Sequence, residues 1–419
     1  MRELRVTMGA GLLAFGLMTL CRSTPVKAAG GPDSSGSAYR VLKPVESGEL
    51  TLFPVVRVGR SGTSDPFLTL DEGLRSGEVE ITEAGSARSL VRSRGGAPAQ
   101  YRGDQVNTLV LINHSKKPLL LLAGEIVTGG KQDRIVAGDR IVPADSYPVD
   151  LSVFCIEHGR WTPTSDKFGA TAGSDIKSFM VQPEVRQQAM VAKNQQQVWN
   201  SVAETISVVN AAPMASPSSR VSTGVASVGP PGSTAQSVTV DGYPGNATTA
   251  SPSTTSYAKT MQRSENSQKL DQVAGEATQA RARVLDELKQ EHAIGVVVAV
   301  HGEVIWADVF ADTDLLTRYW TKLVRSYAAE GFVNVARRNA PVTEDDAQRF
   351  LDAPMRGAET SQGEVGIYRT LESHGGESHA GQLDQIVLES LLPEFTANVH
   401  ISRLKVRGPA GVQPAMGIH

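Results

Sequence analysis

Cysteine is almost absent from this chain. Of 419 residues only Cys21 and Cys155 carry a thiol, so no disulfide framework can staple the fold, and stability has to come from a buried core. Long apolar runs are scarce as well. Residues 8–20 (MGAGLLAFGLMTL) are too few to span a bilayer as a mature helix, and residues 119–123 and Gly295–Val300 are of strand length. Positive charge is not in excess: Lys and Arg number 41 against 44 Asp and Glu, a formal net charge of −3. That balance excludes a general nucleic-acid footprint and gives no electrostatic reason to sit on anionic lipid. No GxSxG, HExxH, CxxC, GxGxxG or EF-hand pattern occurs. No cofactor is therefore expected, and no internal repeat is found.

The first residues predict export. Arg2 and Arg5 give a positive start, residues 8–20 an uncharged apolar stretch, and Val26-Lys27-Ala28 a small-residue cleavage pattern. Leu20 precedes Cys21 where lipidation expects a small residue, so a cleaved signal peptide over residues 1–28 is favoured over a lipid anchor. Cleavage removes Arg2, Arg5, Arg22, Lys27 and Glu3. The mature chain is then more acidic and keeps Cys155 alone. The expected location is extracytoplasmic, periplasmic or secreted, with no transmembrane anchor after cleavage.

A Gly-, Ser- and Pro-rich lead covers residues 29–47. A second low-complexity stretch, residues 211–256, carries Arg220 and Asp241 as its only charges. It has too little large apolar surface to offset its ordering entropy and reads as a disordered insertion. The ordered domain is then residues 48–406 in two halves, 48–210 and 257–406, with a flexible tail over 407–419. Strands are predicted at residues 50–58, 78–83, 106–112, 118–123, 134–142 and 149–156, the third and fourth joined as a hairpin through residues 113–117. A helical turn is expected between Leu70 and Ser76, ended by Gly77. Helices flank the insertion, one opening at Pro183 and one over residues 269–292, and are expected to pack together. Gly295–Val300, His301-Gly302 and residues 304–310 read as a second hairpin.

Leu315, Leu316, Tyr319, Trp320, Leu323, Val324 and Tyr327 then form one apolar helical stripe, with Asp312 or Thr313 as cap and Gly331 as stop. Thr343 to Asp346 resembles a capping box for a short helix carrying Phe350 and Leu351. Strands near 363–371, 382–389 and 395–405 close the chain. Strands without regular βαβ alternation predict an α+β fold, with a predominantly antiparallel sheet and flanking helices.

Three segments carry polar groups suited to chemistry. Residues 124–134 (GEIVTGGKQDR) place paired glycines between Glu125 and the set Lys131, Gln132 and Arg134. Glycines admit close backbone approach to a ligand or a positive φ; the alternative is a tight turn with solvated charges. The segment is not a phosphate loop, because its glycine spacing is one residue too long and Gln132 stands where Ser or Thr would meet magnesium. Residues 155–161 (CIEHGRW) end a strand with Glu157, Arg160 and Trp161, a set suited to an anionic or planar ligand. Cys155 and His158 fit a nucleophile and base on paper, but the thiol sits in a buried strand pattern where cysteine is usually inert. Residues 372–379 (ESHGGESH) hold His and Glu at no recognised metal spacing, and Gly-Gly is first a turn signal. No metal site is expected. On the second hairpin, Trp306 reads as core.

Residues 67–77 (FLTLDEGLRSG), 124–134 (GEIVTGGKQDR), 148–161 (PVDLSVFCIEHGRW) and 295–310 (GVVVAVHGEVIWADVF) resemble the ARG and rhodanese-phosphatase-superfamily-associated protein domain family, a bacterial family of uncharacterised domains. The resemblance covers most of the ordered chain and omits the insertion. It implies one α+β unit built from both halves. The matching motif positions are Glu125, Gly129, Gly130, Lys131, Gln132, Arg134, Glu157, Arg160 and Trp161, whereas His158 stands where the motif varies. The family name points by association to ADP-ribose or phosphorylated small molecules.

Three functions follow as expectations. The first is an extracytoplasmic module binding an anionic small molecule or glycan, with Glu125, Lys131, Gln132, Arg134, Glu157, Arg160 and Trp161 meeting at one end of a sheet. The second is a hydrolase using Glu125 or Glu157 as general acid or base. The third is a scaffold of the cell envelope, tethered through residues 211–256.

Overall fold

The computed structural model describes residues 37–47, 49–59, 67–86, 107–160, 162–169, 179–212, 254–287, 292–333, 341–379, 382–393 and 398–406. The expected signal segment, Trp161 and residues 213–253 of the expected insertion lie outside the described residues.

Both halves contribute to one nine-stranded sheet. Its order is Tyr39–Val41, Leu50–Arg57, Gly295–Val300, Glu303–Phe310, His400–Lys405, Gln382–Pro393, Tyr368–His379 and Met355–Glu364, with Val45–Ser47 alongside Leu50–Arg57. Every pairing in it is antiparallel. The β-branched run Gly295–Val300 sits at the seam, bonded to Leu50–Arg57 on one side and Glu303–Phe310 on the other. This is the α+β fold the sequence predicts. The sheet starts earlier than expected, since Tyr39–Val41 and Val45–Ser47 fall inside the predicted flexible lead.

The helix Thr313–Val333 is buried nearly all round. Its apolar stripe joins Leu52, Val298 and Trp306 of the sheet in the main core. Asp312 caps it by accepting the Leu315 amide at 2.9 Å. It runs past Gly331, because Val333 is still buried core and outweighs the weak propensity of one glycine. The opposite sheet face, with Phe53, Val55 and Val297, is covered by Glu344–Asp352 through Ala347, Phe350 and Leu351. Thr343 and Asp346 close the expected capping box on that helix. The insertion-flanking helices Gln195–Ala211 and Ser264–Glu287 meet where Asn266 donates to Asn210 and Lys269 Nζ to the Val209 carbonyl.

The rest of the N-terminal half forms a smaller β-sandwich. A three-stranded sheet (Arg140–Val142, Leu119–Leu121, Leu68–Thr69) and a six-stranded one enclose Leu70, Ile81, Leu111, Val136, Leu151 and Phe168. The predicted hairpin between residues 106–112 and 118–123 does not form. Thr108–Asn113 pairs with Val79–Glu83 and Val149–Cys155, while Leu119–Leu121 belongs to the other sheet. Asn113 makes the crossing: its side chain donates to the Lys117 and Pro143 carbonyls and accepts the Ser115 amide. These bonds turn the chain out of one layer and into the next.

The predicted strand 134–142 is also two strands, Arg134–Val136 and Arg140–Val142, in different sheets. The step between them carries Asp139, which accepts the Ala123 amide at 2.8 Å. Residues 363–371 hold a turn rather than one strand, with Val365 fully exposed at its tip. Gly375 and Gly376, expected as a turn, lie inside Tyr368–His379, where a Cβ on Gly375 would come 2.7 Å from the Pro354 carbonyl.

Candidate functional site

The two polar motifs do converge in space. Arg160 Nε donates to Glu157 at 2.7 Å, and its other nitrogens reach the Gly130 carbonyl at 2.9 Å and Asp133 at 3.4 Å. Asp133 is held further by the Ser256 hydroxyl at 2.8 Å and the Gly129 amide at 3.2 Å. Burial and the neighbouring Glu157 push its carboxyl up. Arg134 is buried and turned back onto the Gln132 carbonyl at 2.8 Å, and the Lys131 amide donates to Glu83. The glycines serve the chain's own packing. A Cβ on Gly130 would meet Phe168 at 2.3 Å, and one on Gly129 would meet Ser165 at 2.5 Å. The approach that paired glycines allow is made by residues 165–168.

Glu125 is elsewhere. It is fully buried and paired with Lys322 at 2.5 Å, while Lys322 also holds Asp71 at 2.5 Å. Burial alone would lower the Lys322 ammonium, but the two carboxylates outweigh it and hold it above its ordinary range. Cys155 is buried, and burial raises its thiol, while the His158 ring meets the edge of Trp199. Glu372 accepts from His374 at 2.9 Å. Among the described residues no group of three or more His, Cys, Asp or Glu side chains is arranged to hold a metal.

A cleft of about 300 Å³ opens between the small sandwich and the long antiparallel strands of the C-terminal half. None of Glu125, Lys131, Gln132, Arg134, Glu157 or Arg160 lines it. One wall is the step 137–140 with Asp139 and Arg140; another is formed by Tyr368, Thr370, Glu372 and Glu389. The third comes from a π-helical turn, Gln188–Ala192, which ends in Lys193 with a left-handed backbone (φ 49°). A π-turn and a non-glycine residue in that region are both costly local choices that cluster at functional sites. Lys193 reaches Glu372 at 3.5 Å, and Arg140 reaches Glu364 at 3.3 Å.

Glu372 and Glu389 stand directly opposite each other on neighbouring strands. Like charges so placed repel. Glu389 is only 6% exposed, and its Oε1 has no hydrogen-bond partner. Burial, then the Asp139 and Glu372 charges, raise its carboxyl to about 8 against the pull of the Asp139 amide.

Behind this wall lies a wholly buried polar chain. His400 Nδ1 meets Asp139 at 2.5 Å, and its Nε2 lies 3.2 Å from Asp308, not aligned for a hydrogen bond. Asp308 is clamped bidentately by Arg186 at 2.9 and 3.0 Å and also accepts from Tyr327 and Ser402. The Arg186 guanidinium lies 4.4 Å over the Trp306 ring. Burial disfavours charge on His400, but Asp139 and Asp308 raise it to about 9. Burial would raise Asp308, yet Arg186 and His400 hold it well below the usual carboxylate range. Gly124, the first motif glycine, makes room for this chain: a Cβ there would sit 2.5 Å from Arg186 Cγ.

Sequence reading missed Asp139, Arg186, Glu389 and His400, which are scattered along the chain. The available signal was an ionisable residue inside an apolar strand run, as in VIWADVF and QIVLESLLP.

Two of these groups set a pH dependence of the same sign. Glu389 and His400 each bind a proton more tightly folded than at their ordinary values of 4.5 and 6.5. Their contributions are complete below those values and are lost as pH rises through about 8 and about 9. Urea unfolding is expected to show stability falling steadily from pH 6 to above pH 9, by an amount on the order of a few kcal/mol. Glu389→Gln should flatten the part of that fall below pH 8. Stability that is level or rising over the range would contradict these environments.

No curated protein and no solved structure matches the chain. The sequence model of one family does, over residues 38–401, from the first sheet strand to the start of the last. The chain belongs to the family described as the ARG and Rhodanese-Phosphatase-superfamily-associated Protein domain.

Proposed function

We propose that this chain is an extracytoplasmic binding protein for a small polar, donor-rich ligand such as a glycan unit, held in the cleft between Asp139, Lys193, Glu372 and Glu389. One observation carries the reading: Glu372 and Glu389, opposite each other on neighbouring strands, both line the cleft. Carboxyl groups so placed accept hydrogen bonds from a ligand's hydroxyl or amino donors. The volume suits one sugar-sized molecule. The wall's carboxylates favour donors over an anion, and Arg134 and Arg160 of the two sequence motifs are engaged by the protein itself. Export remains part of the proposal on the strength of residues 1–28.

The test is thermal shift of the purified chain against monosaccharides, amino sugars, nucleotides and ADP-ribose, followed by titration of any hit. Glu389→Ala is expected to weaken binding about tenfold or more. Lys131→Ala should leave affinity unchanged. The reverse pattern would move the site to the glycine loop.

An enzymatic reading has one specific support, the facing pair Glu372 and Glu389. Two carboxyl groups facing one another are the usual arrangement for general acid and base. Turnover of a bound glycoside, lost in Glu389→Gln, would favour it over binding alone. The cleft pair replaces Glu125 and Glu157 as its candidate residues, since neither of those two lines the cleft.

A further inference from the structure

Resting on the cleft reading above, we propose that the ligand is an uncharged sugar, read by uncharged side chains: Gln362, Thr370 and Tyr368 from the long strands and Ser152 from the small sandwich. Strand register sets this row. Tyr368, Thr370 and Glu372 alternate along one strand and so share a face. Gln362 stands directly opposite Thr370 on one neighbouring strand, as Glu389 stands opposite Glu372 on the other. The sheet side of the cleft therefore passes from an acidic pair to a neutral one. Ser152 and Phe154, two residues apart on Val149–Cys155, line the cleft as well.

The charged groups of the cleft are answered within the protein. Asp139 accepts the Ala123 amide and meets His400, Glu372 meets Lys193 and His374, and Arg140 reaches Glu364 and the Asp150 carbonyl. Glu389 is almost wholly buried. The neutral groups are the reverse. Ser152 and Gln362 are exposed, Tyr368 and Thr370 are half-buried, and none of the four side chains makes a hydrogen bond among the described residues. A charged ligand would be desolvated at a cost, and the cleft offers no opposite charge that is both open and unpaired. Hydroxyl and amide side chains each donate and accept, as a sugar hydroxyl does. Phe154, Met190 and the Tyr368 ring add apolar surface suited to the carbon face of a pyranose.

Isothermal titration at pH 7 with glucose, galactose and mannose, each beside its amino sugar and its uronic acid, tests this directly. At least one neutral hexose is expected to bind, about tenfold more tightly than both of its charged counterparts. Its affinity should change less than about twofold between about 0.05 and 0.5 M salt, because no ion pair forms on binding. Gln362→Ala and Thr370→Val should each weaken binding about fivefold, the loss of one neutral hydrogen bond, with the melting temperature nearly unchanged. A charged counterpart that binds as tightly as its hexose, or no neutral hexose binding at millimolar concentration, would overturn the assignment. If Glu389→Ala weakens sugar binding while Gln362→Ala and Thr370→Val do not, the cleft stands as the site and only the neutral row falls. Loss of binding in Lys131→Ala, with all three cleft variants unaffected, would remove the cleft itself.

Discussion

Arg186→Met is expected to destabilise the protein by about 3–5 kcal/mol, the cost of leaving a buried carboxylate without its partner. Arg186 and Asp308 are both fully buried, and their bidentate bonds tie the short helix Pro183–Gln187 to Glu303–Phe310 across 122 residues of chain. Methionine keeps most of the side-chain volume against Trp306 and Gly124, so the loss reports charge and hydrogen bonds rather than a cavity. His400, Tyr327 and Ser402 remain beside Asp308 and offset part of the loss. The double variant Arg186→Met with Asp308→Asn should recover part of it, because no buried charge is then stranded. Urea unfolding of the single and double variants measures both. A single variant within 1 kcal/mol of wild type, about the effect of an ordinary substitution, would show that the pair contributes little.

Lys322→Met is expected to cost a similar amount, about 3–5 kcal/mol near neutral pH. It strands Glu125 inside the core and Asp71 at its edge. This variant has its own pH signature. Without Lys322, burial raises Glu125 further, so the folded state takes up a proton that the unfolded chain lacks. The deficit should therefore shrink as pH falls toward 5 and grow toward pH 8. Melting temperatures of wild type and variant across that range give the comparison. A deficit independent of pH would mean that packing around the Lys322 stem, not the charge on Glu125, sets the cost.

The elements legible in the sequence are those whose cause is local. The hairpin around His301-Gly302 follows from two β-branched runs and a turn that takes positive φ at both residues. The helix Thr313–Val333 follows from its stripe, and Glu344–Asp352 from its capping box. What the sequence hid depends on distant partners. Residues 113–117 look like a hairpin turn, but the bonds of Asn113 to Val142 and Pro143 send the two strands to different sheets. The step at Asp139 is likewise invisible, because its cause is an amide at Ala123 and a histidine at position 400.

The candidate site repeats the lesson. Residues 124–134 and 155–161 are conspicuous because they are polar, glycine-rich and close together in the chain. Their positions in space answer a structural need, in which Arg160 staples the glycine loop and Phe168 fills it. Glu389 is inconspicuous among Ile386, Val387 and Leu391, and only the folded sheet sets it opposite Glu372. The charge within an apolar run marks Glu389 alone, and its pairing with Glu372 is set by strand register.

The central claim is that the ligand site is the cleft at Glu389. Its most direct test is a crystal structure of the protein soaked with the best compound from the thermal-shift panel. The account predicts ligand density between Asp139, Lys193 and Glu372, with a donor atom within about 3 Å of a carboxyl oxygen of Glu372 or Glu389. Density lying instead against the 129–134 loop, with the cleft holding only water, would contradict it.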